Sequence, residues 1–150
     1  MPEYRLSIRG PGLTANIDLG RAVKNLELAQ RWLTAQVAGD CMEYVPFRNG
    51  GGGLRGSITY PKGLEGGVIE WNTPYAHYLY VGEVYVNPKY KRAGWQDNYG
   101  VWHGYKGPKV PSGRAIEYHT PGTGDHWYER AKAAHLGDWV NGVKRIVGAQ

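Results

Sequence analysis

Between residues 19 and 37 the apolar residues Leu19, Ala22, Leu26, Ala29, Leu33 and Val37 recur at spacings of three and four. That repeat gathers side chains on one side of an α-helix. Val23 and Trp32 widen the stripe, while Arg21, Lys24, Glu27 and Arg31 fall on the wet side. A helix so patterned must lay its stripe on another layer of structure, because packing rather than propensity supplies most of its stability. Asp18 offers a carboxylate to cap the free amides of its first turn. Fraying is expected between Gly39 and Met42, and Pro46 bars continuation.

The other segments suggest what that layer is. Tyr4, Leu6 and Ile8 alternate with Arg5, Ser7 and Arg9, the period of a strand with one wet face, ended by Gly10-Pro11-Gly12. Ser57–Tyr60 and Gly67–Asn72 read as a hairpin around the Pro61–Gly66 turn. Tyr75 to Val81 suits a helical turn or a third strand. Glu83 to Tyr118 shows no periodicity and reads as an interaction loop. After the turn Thr120–Gly124, Asp125 is placed to cap a last helix. Trp127, Ala131, Ala134, Trp139, Val143, Ile146 and Val147 make its stripe, which drifts near Gly137, where the helix is expected to break. The expectation is an α+β fold: a small antiparallel sheet packed against a long N-terminal helix and a C-terminal helix. A single domain spans 1–150, with 83–118 as an insertion loop. Leu26, Leu33, Val68, Ile69, Trp71 and Trp127 are the expected core.

Few residue patterns carry chemistry. None of the five histidines pairs at the spacing of a helical zinc motif. His119 and His126 flank the Pro-Gly turn beside Asp125, the nearest approach to an acid–base or metal group. The lone cysteine, Cys41, excludes an internal disulfide and a cysteine-rich zinc site, and its helical setting suits a buried structural thiol. Ser7, Ser57 and Ser112 stand in no nucleophile elbow. The carboxylates Asp40 with Glu43, and Glu65 with Glu70, read as solvated surface. The Gly50–Gly53 run lacks the Lys-Ser/Thr ending of a phosphate loop and reads as a linker carrying Arg48 and Arg55. No basic-then-apolar leader opens the sequence and no run reaches membrane-spanning length, so the expectation is synthesis in a cytoplasm and no membrane partner.

Binding is more credible than catalysis. The chain holds 12 Tyr and 6 Trp but 1 Phe, a bias toward rings with a polar handle, which suit interfaces. Tyr85, Tyr90, Trp95, Tyr99, Trp102 and Tyr105 are interleaved with Lys, Gly and Pro in the insertion. Together with Arg48 and Arg55 they are the candidate interface. Such rings can stack on bases or sugars, or anchor a protein partner. Net charge is +5, with the basic residues thinly spread, which favours protein contact over a phosphate-tracking groove.

Three stretches in order resemble a known family. Tyr44-Val-Pro-Phe47 leads into Gly53-Leu-Arg-Gly-Ser57 within Asp40–Ser57. Gly67-Val-Ile-Glu-Trp-Asn-Thr-Pro-Tyr-Ala-His-Tyr-Leu-Tyr80 follows. Thr120-Pro-Gly-Thr-Gly-Asp-His-Trp-Tyr-Glu-Arg-Ala-Lys132 comes last. Together they are similar to the minor capsid proteins of long-tailed phages infecting Gram-positive bacteria, within the broader tail-completion, or head-tail joining, family. The sequence departs from that pattern at Asn49–Gly53, where the family has a compact turn, and the insertion has no counterpart whose contacts carry over. The resemblance implies a non-enzymatic virion component at the neck, without cofactor, metal or catalytic residues. It implies a homo-oligomeric, commonly hexameric ring beside the head connector or stopper and the tail terminator or tube. Non-specific contact with DNA in the lumen is compatible with the modest positive charge. The alternative from the residues alone is an aromatic-rich carbohydrate- or nucleic-acid-binding module.

Overall fold

The computed structural model describes residues 5–10, 13–18, 20–47 and 53–148, with only the backbone given for the first two segments. Strands β1 (Arg5–Gly10) and β2 (Leu13–Asp18) form an antiparallel hairpin whose register runs from Arg5 opposite Asp18 to Gly10 opposite Leu13. Gly10-Pro11-Gly12 is thus followed by a returning strand. Asp18 closes β2, and the cap expected of its side chain lies outside what is described. Helix α1 (Gly20–Cys41) begins two residues later and runs to the far edge of the expected fraying zone.

The C-terminal helix α3 (Trp127–Val147) lies antiparallel to α1. Near one end Asn25 Nδ2 donates to the Val147 carbonyl at 3.4 Å. Near the other, Trp139 Nε1 donates to Asp40 Oδ2 at 2.6 Å. Between them the Trp32 ring lies against Gly142, where an added Cβ would come within 2.0 Å of it. The α1 stripe is buried only over its C-terminal half. Ala29, Thr34, Ala38 and Cys41 are buried, with Leu33 and Val37 packed on the core. Leu26, expected in the core, is 55% exposed, because the short turn at Leu64–Gly66 covers α1 further along. There the buried Thr34 hydroxyl donates to the Leu64 carbonyl at 2.8 Å, which satisfies a polar group on the apolar face.

Strands β3 (Ile58–Thr59) and β4 (Glu70–Trp71) form the expected hairpin. Helix α2 (Ala76–Val81) follows and is stopped by Gly82 in the left-handed conformation. The segment without periodicity holds four more strands. β5 (Glu83–Val86) pairs with β8 (Val110–Ala115), with an irregular register between Glu83 and Tyr85. β6 (Gly94–Gln96) pairs with β7 (Trp102–Gly104). The fold is α+β, with N- and C-terminal helices and two-stranded antiparallel ladders among the described residues.

The core gathers Cys41, Val45, Leu54, Ala76, Trp127, Ala131 and Trp139, with Leu33, Val37, Tyr44, Trp71, Leu79 and Tyr80 against it. Val68 and Ile69 are half-buried. Helix α3 does not break at Gly137, which sits exposed within one continuous helix. Nor does Asp125 cap it. His126 holds the cap position at φ +44°, and the Asp125 carboxylate turns to Arg130.

The two glycines of α3 should respond oppositely. At Gly137 an added Cβ meets nothing, so Gly137→Ala should stabilise by about 0.5–1 kcal/mol through helix propensity. Gly142→Ala drives its Cβ into the Trp32 ring and should destabilise by about 1–3 kcal/mol. Urea denaturation followed by circular dichroism reads both. Stabilisation by both would contradict the packing of Trp32 on α3.

Candidate functional site

The three stretches quoted above come together in space. The Gly124 amide donates to the Tyr44 carbonyl at 3.0 Å, and Thr120 Oγ1 donates to the Phe47 carbonyl at 3.0 Å. The His126 amide donates to the Tyr80 carbonyl at 2.9 Å. Trp127 meets Trp71 and Tyr80 edge-on, at centroid distances of 5.6 and 4.7 Å. A Cβ on Gly82 would lie 2.8 Å from Asp125 Oδ2, so only glycine lets the end of α2 approach the start of α3 this closely.

The groups closest to chemistry are held inside this scaffold. The Cys41 thiol is fully buried, and its pKa is pushed up to about 12, first by burial and then by the nearby carboxylates of Asp40 and Glu129. A thiol so placed is a poor nucleophile. Asp125 accepts from Arg130 Nη2 at 2.6 Å, which holds its carboxyl below the ordinary range, with His126 Nδ1 at 3.4 Å from its other oxygen. His126 packs on the Tyr80 ring, and His119 lines a separate cleft. Tyr80 hydrogen-bonds Glu129, and burial, followed by that bond, raises its pKa. The cleft, of about 1120 Å³, is walled by Phe47, Leu54, Tyr75, Tyr78, Tyr85 and Tyr118. Among the described residues no group of three His, Cys, Asp or Glu side chains could hold a metal ion, and no helix is long and apolar enough to cross a membrane.

The candidate interface residues divide into two sets. Arg48 lies outside the described residues. Arg55 is turned onto the chain itself: its guanidinium sits 3.8 Å over the Phe47 ring, and Nε donates to the Val45 carbonyl. Tyr85 is half-buried against Tyr78 and His77. Tyr90, Trp95, Tyr99 and Trp102 instead project, with exposures of 50, 44, 93 and 64%. Tyr90 stacks on Tyr105 at 4.7 Å and Trp95 on His103 at 4.6 Å. Trp102 lies against Gly94, where a Cβ would come within 2.7 Å of its ring.

Asp97 holds this projection together. Its Oδ1 accepts from the Tyr99 and Val101 amides, both at 2.9 Å, and its Oδ2 lies 2.7 Å from His103 Nε2. The Asp97 amide donates to the Val101 carbonyl, and Gly100 takes φ +81°. Neither Asp97 nor His103 stood out as functional from the sequence. The signal that could have found them is Asp97-Asn-Tyr-Gly100, an Asx-turn composition between two aromatic runs.

No protein-family profile, no curated protein and no solved structure matches this chain.

The order of the aromatic tip should depend on Asp97. Hydrogen bonds from His103 and the backbone lower its pKa from the usual 3.8. They therefore support the tip fully above that value and are lost as the pH falls through the lowered one. The protection that the Asp97 carboxylate gives the Tyr99 and Val101 amides should therefore be lost only in the acid range, below the usual 3.8. Asp97→Ala should show that loss at pH 7, with faster exchange of the Tyr99 and Val101 amides. Unchanged exchange in Asp97→Ala would show that the carboxylate does not organise the turn.

Proposed function

We propose that this chain is a structural component of the neck of a tailed-phage virion, a minor capsid or tail-completion protein joining the head connector to the tail, in the form of a ring. The observation that carries this reading is the meeting of the three family-like stretches around Trp127. They build one packed unit, so the three stretches are parts of a single folding core. The engagement of Cys41, Asp125, His126 and Glu129 in holding that core supports a structural role.

Surface chemistry supports a subunit that works in an assembly. Along α3, Leu136, Val140 and Val147 are all exposed, at helical spacings of four and seven. Leu26 is exposed on α1, next to Asn25, which is bonded to Val147. Aliphatic side chains aligned this way suit a protein neighbour. A heterologous contact that closes by rotation turns such faces into a ring. A second reading, binding to carbohydrate or nucleic acid, is favoured by one specific feature, the projecting aromatic hairpin.

Mass spectrometry of purified virions of the encoding phage tests the proposal. The chain should be present at roughly six copies per particle, the number of a hexameric ring such as the resemblance implies. Disrupting its gene should leave filled heads and unattached tails. Normal infectious virions that lack the chain would rule the neck assignment out.

A further inference from the structure

The insertion is the most basic part of the chain as well as the most aromatic. Residues 87–107 contain Lys89, Lys91, Arg92 and Lys106 against Asp97 alone, and so hold three of the chain's five net positive charges. All four cations are exposed. Folding concentrates them further. Asn87 Oδ1 accepts from the Lys89 and Tyr90 amides at 2.9 and 3.2 Å, and the Lys91 amide donates to the Asn87 carbonyl. Lys89, Lys91 and Arg92 therefore share one tight turn, with Lys91 at φ +56°. The Tyr90–Tyr105 stack sets that turn beside Lys106. The one carboxylate is occupied by the tip.

The rings follow the ribbon. Trp95 is opposite His103 in the ladder, and the Tyr105 amide donates to the Ala93 carbonyl, which extends the pairing by one step. Strand alternation then places Tyr105 on the same side as His103 and Trp95. Two stacked aromatic pairs, Tyr90–Tyr105 and Trp95–His103, succeed each other along one face, with the cations at its base. Trp102, adjacent to His103, faces the other side of the ribbon, and Tyr99 stands at the tip. Flat rings with an open side take up unpaired bases whatever their sequence, and neighbouring lysines and arginines neutralise phosphates. Bases within a duplex are already stacked and offer no such face.

We propose that the β6–β7 hairpin, with the Asn87–Arg92 turn, binds single-stranded nucleic acid, bases against Tyr90 and Trp95 and phosphates against Lys89, Lys91, Arg92 and Lys106. This goes beyond the neck assignment and does not rest on it. A chain absent from virions could still bind, and a virion protein could fail to, so the two tests separate.

The experiment titrates the full-length protein with a short oligo-dT strand, the matching duplex and a chitin oligosaccharide, followed by Trp fluorescence and by anisotropy of labelled strand. The expected result is binding of the single strand with quenched Trp emission. The slope of log K against log salt should be roughly −2 to −3, for three to four phosphates neutralised. Trp95→Ala should weaken binding by about tenfold. Lys91→Gln with Arg92→Gln should make the slope shallower by about 1 to 1.5. Circular dichroism and urea midpoints matching wild type confirm that these exposed changes leave the fold intact. No binding at low salt, equal binding of duplex, salt-independent capture of the sugar, or full binding by Trp95→Ala would each overturn the proposal.

Discussion

Trp127 is the first residue of α3 and 2% exposed. Its ring is met edge-on by Trp71 from the hairpin and by Tyr80 from α2. Such aromatic pairs contribute about 0.5–1.5 kcal/mol each beyond the burial of their area. Removing a buried indole costs about 3–5 kcal/mol, which is comparable to the whole stability of many small domains. The ring can sit there only because the chain before it is steered tightly. Gly82 leaves room for Asp125, the His126 amide reaches the Tyr80 carbonyl, and His126 adopts a positive φ to turn into the helix. Arg130, one turn into α3, reaches back to both the Asp125 backbone carbonyl and its carboxylate. The start of α3 is thus fixed by tertiary contacts and not by a capping side chain, which is why the cap expected at Asp125 is absent.

Helix periodicity made α1 and α3 legible, since a repeat of three and four survives over twenty residues. It did not show how much of each stripe would find a partner. Leu26 and Leu33 belong to the same stripe, yet only Leu33 meets the core, because the elements that cover α1 are short and lie over its second half. Gly137 looked like a break because glycine weakens an isolated helix by about 1 kcal/mol. A helix anchored on both sides of that position, by Trp127 and Ala131 before it and Trp139 and Gly142 after it, absorbs that cost. Strand β2 alternates as cleanly as β1, but Gly10-Pro11-Gly12 serves equally as the end of a strand or as its turn. β6 and β7 have three residues each, too few for a period of two to register.

Exposure was what the sequence could not reveal about the site. Tyr85 and Tyr99 lie in the same aromatic run, yet one packs on Tyr78 and the other is almost wholly in solvent. Arg55 and Arg92 both stand in segments without periodicity. Arg55 found a ring and a carbonyl to bind, while Arg92 lies exposed on a turn held by Asn87. The deciding residues were small or acidic ones that carry no function of their own. Gly94 makes room for Trp102, Asn87 closes the cationic turn, and Asp97 closes the tip.

Helix α3 also separates two surfaces of different chemistry. Its first turn, through Asp125 and Gly82, fixes the root of the aromatic insertion. From near its middle to its end it carries Leu136, Val140 and Val147 outward. At about 1.5 Å per residue, Trp127 and Val147 are roughly 30 Å apart along the helix axis. The aliphatic side chains gain only by excluding water against another apolar face, which a second protein offers. The aromatic and cationic hairpin gains by stacking and by releasing counterions, which a nucleic-acid strand offers.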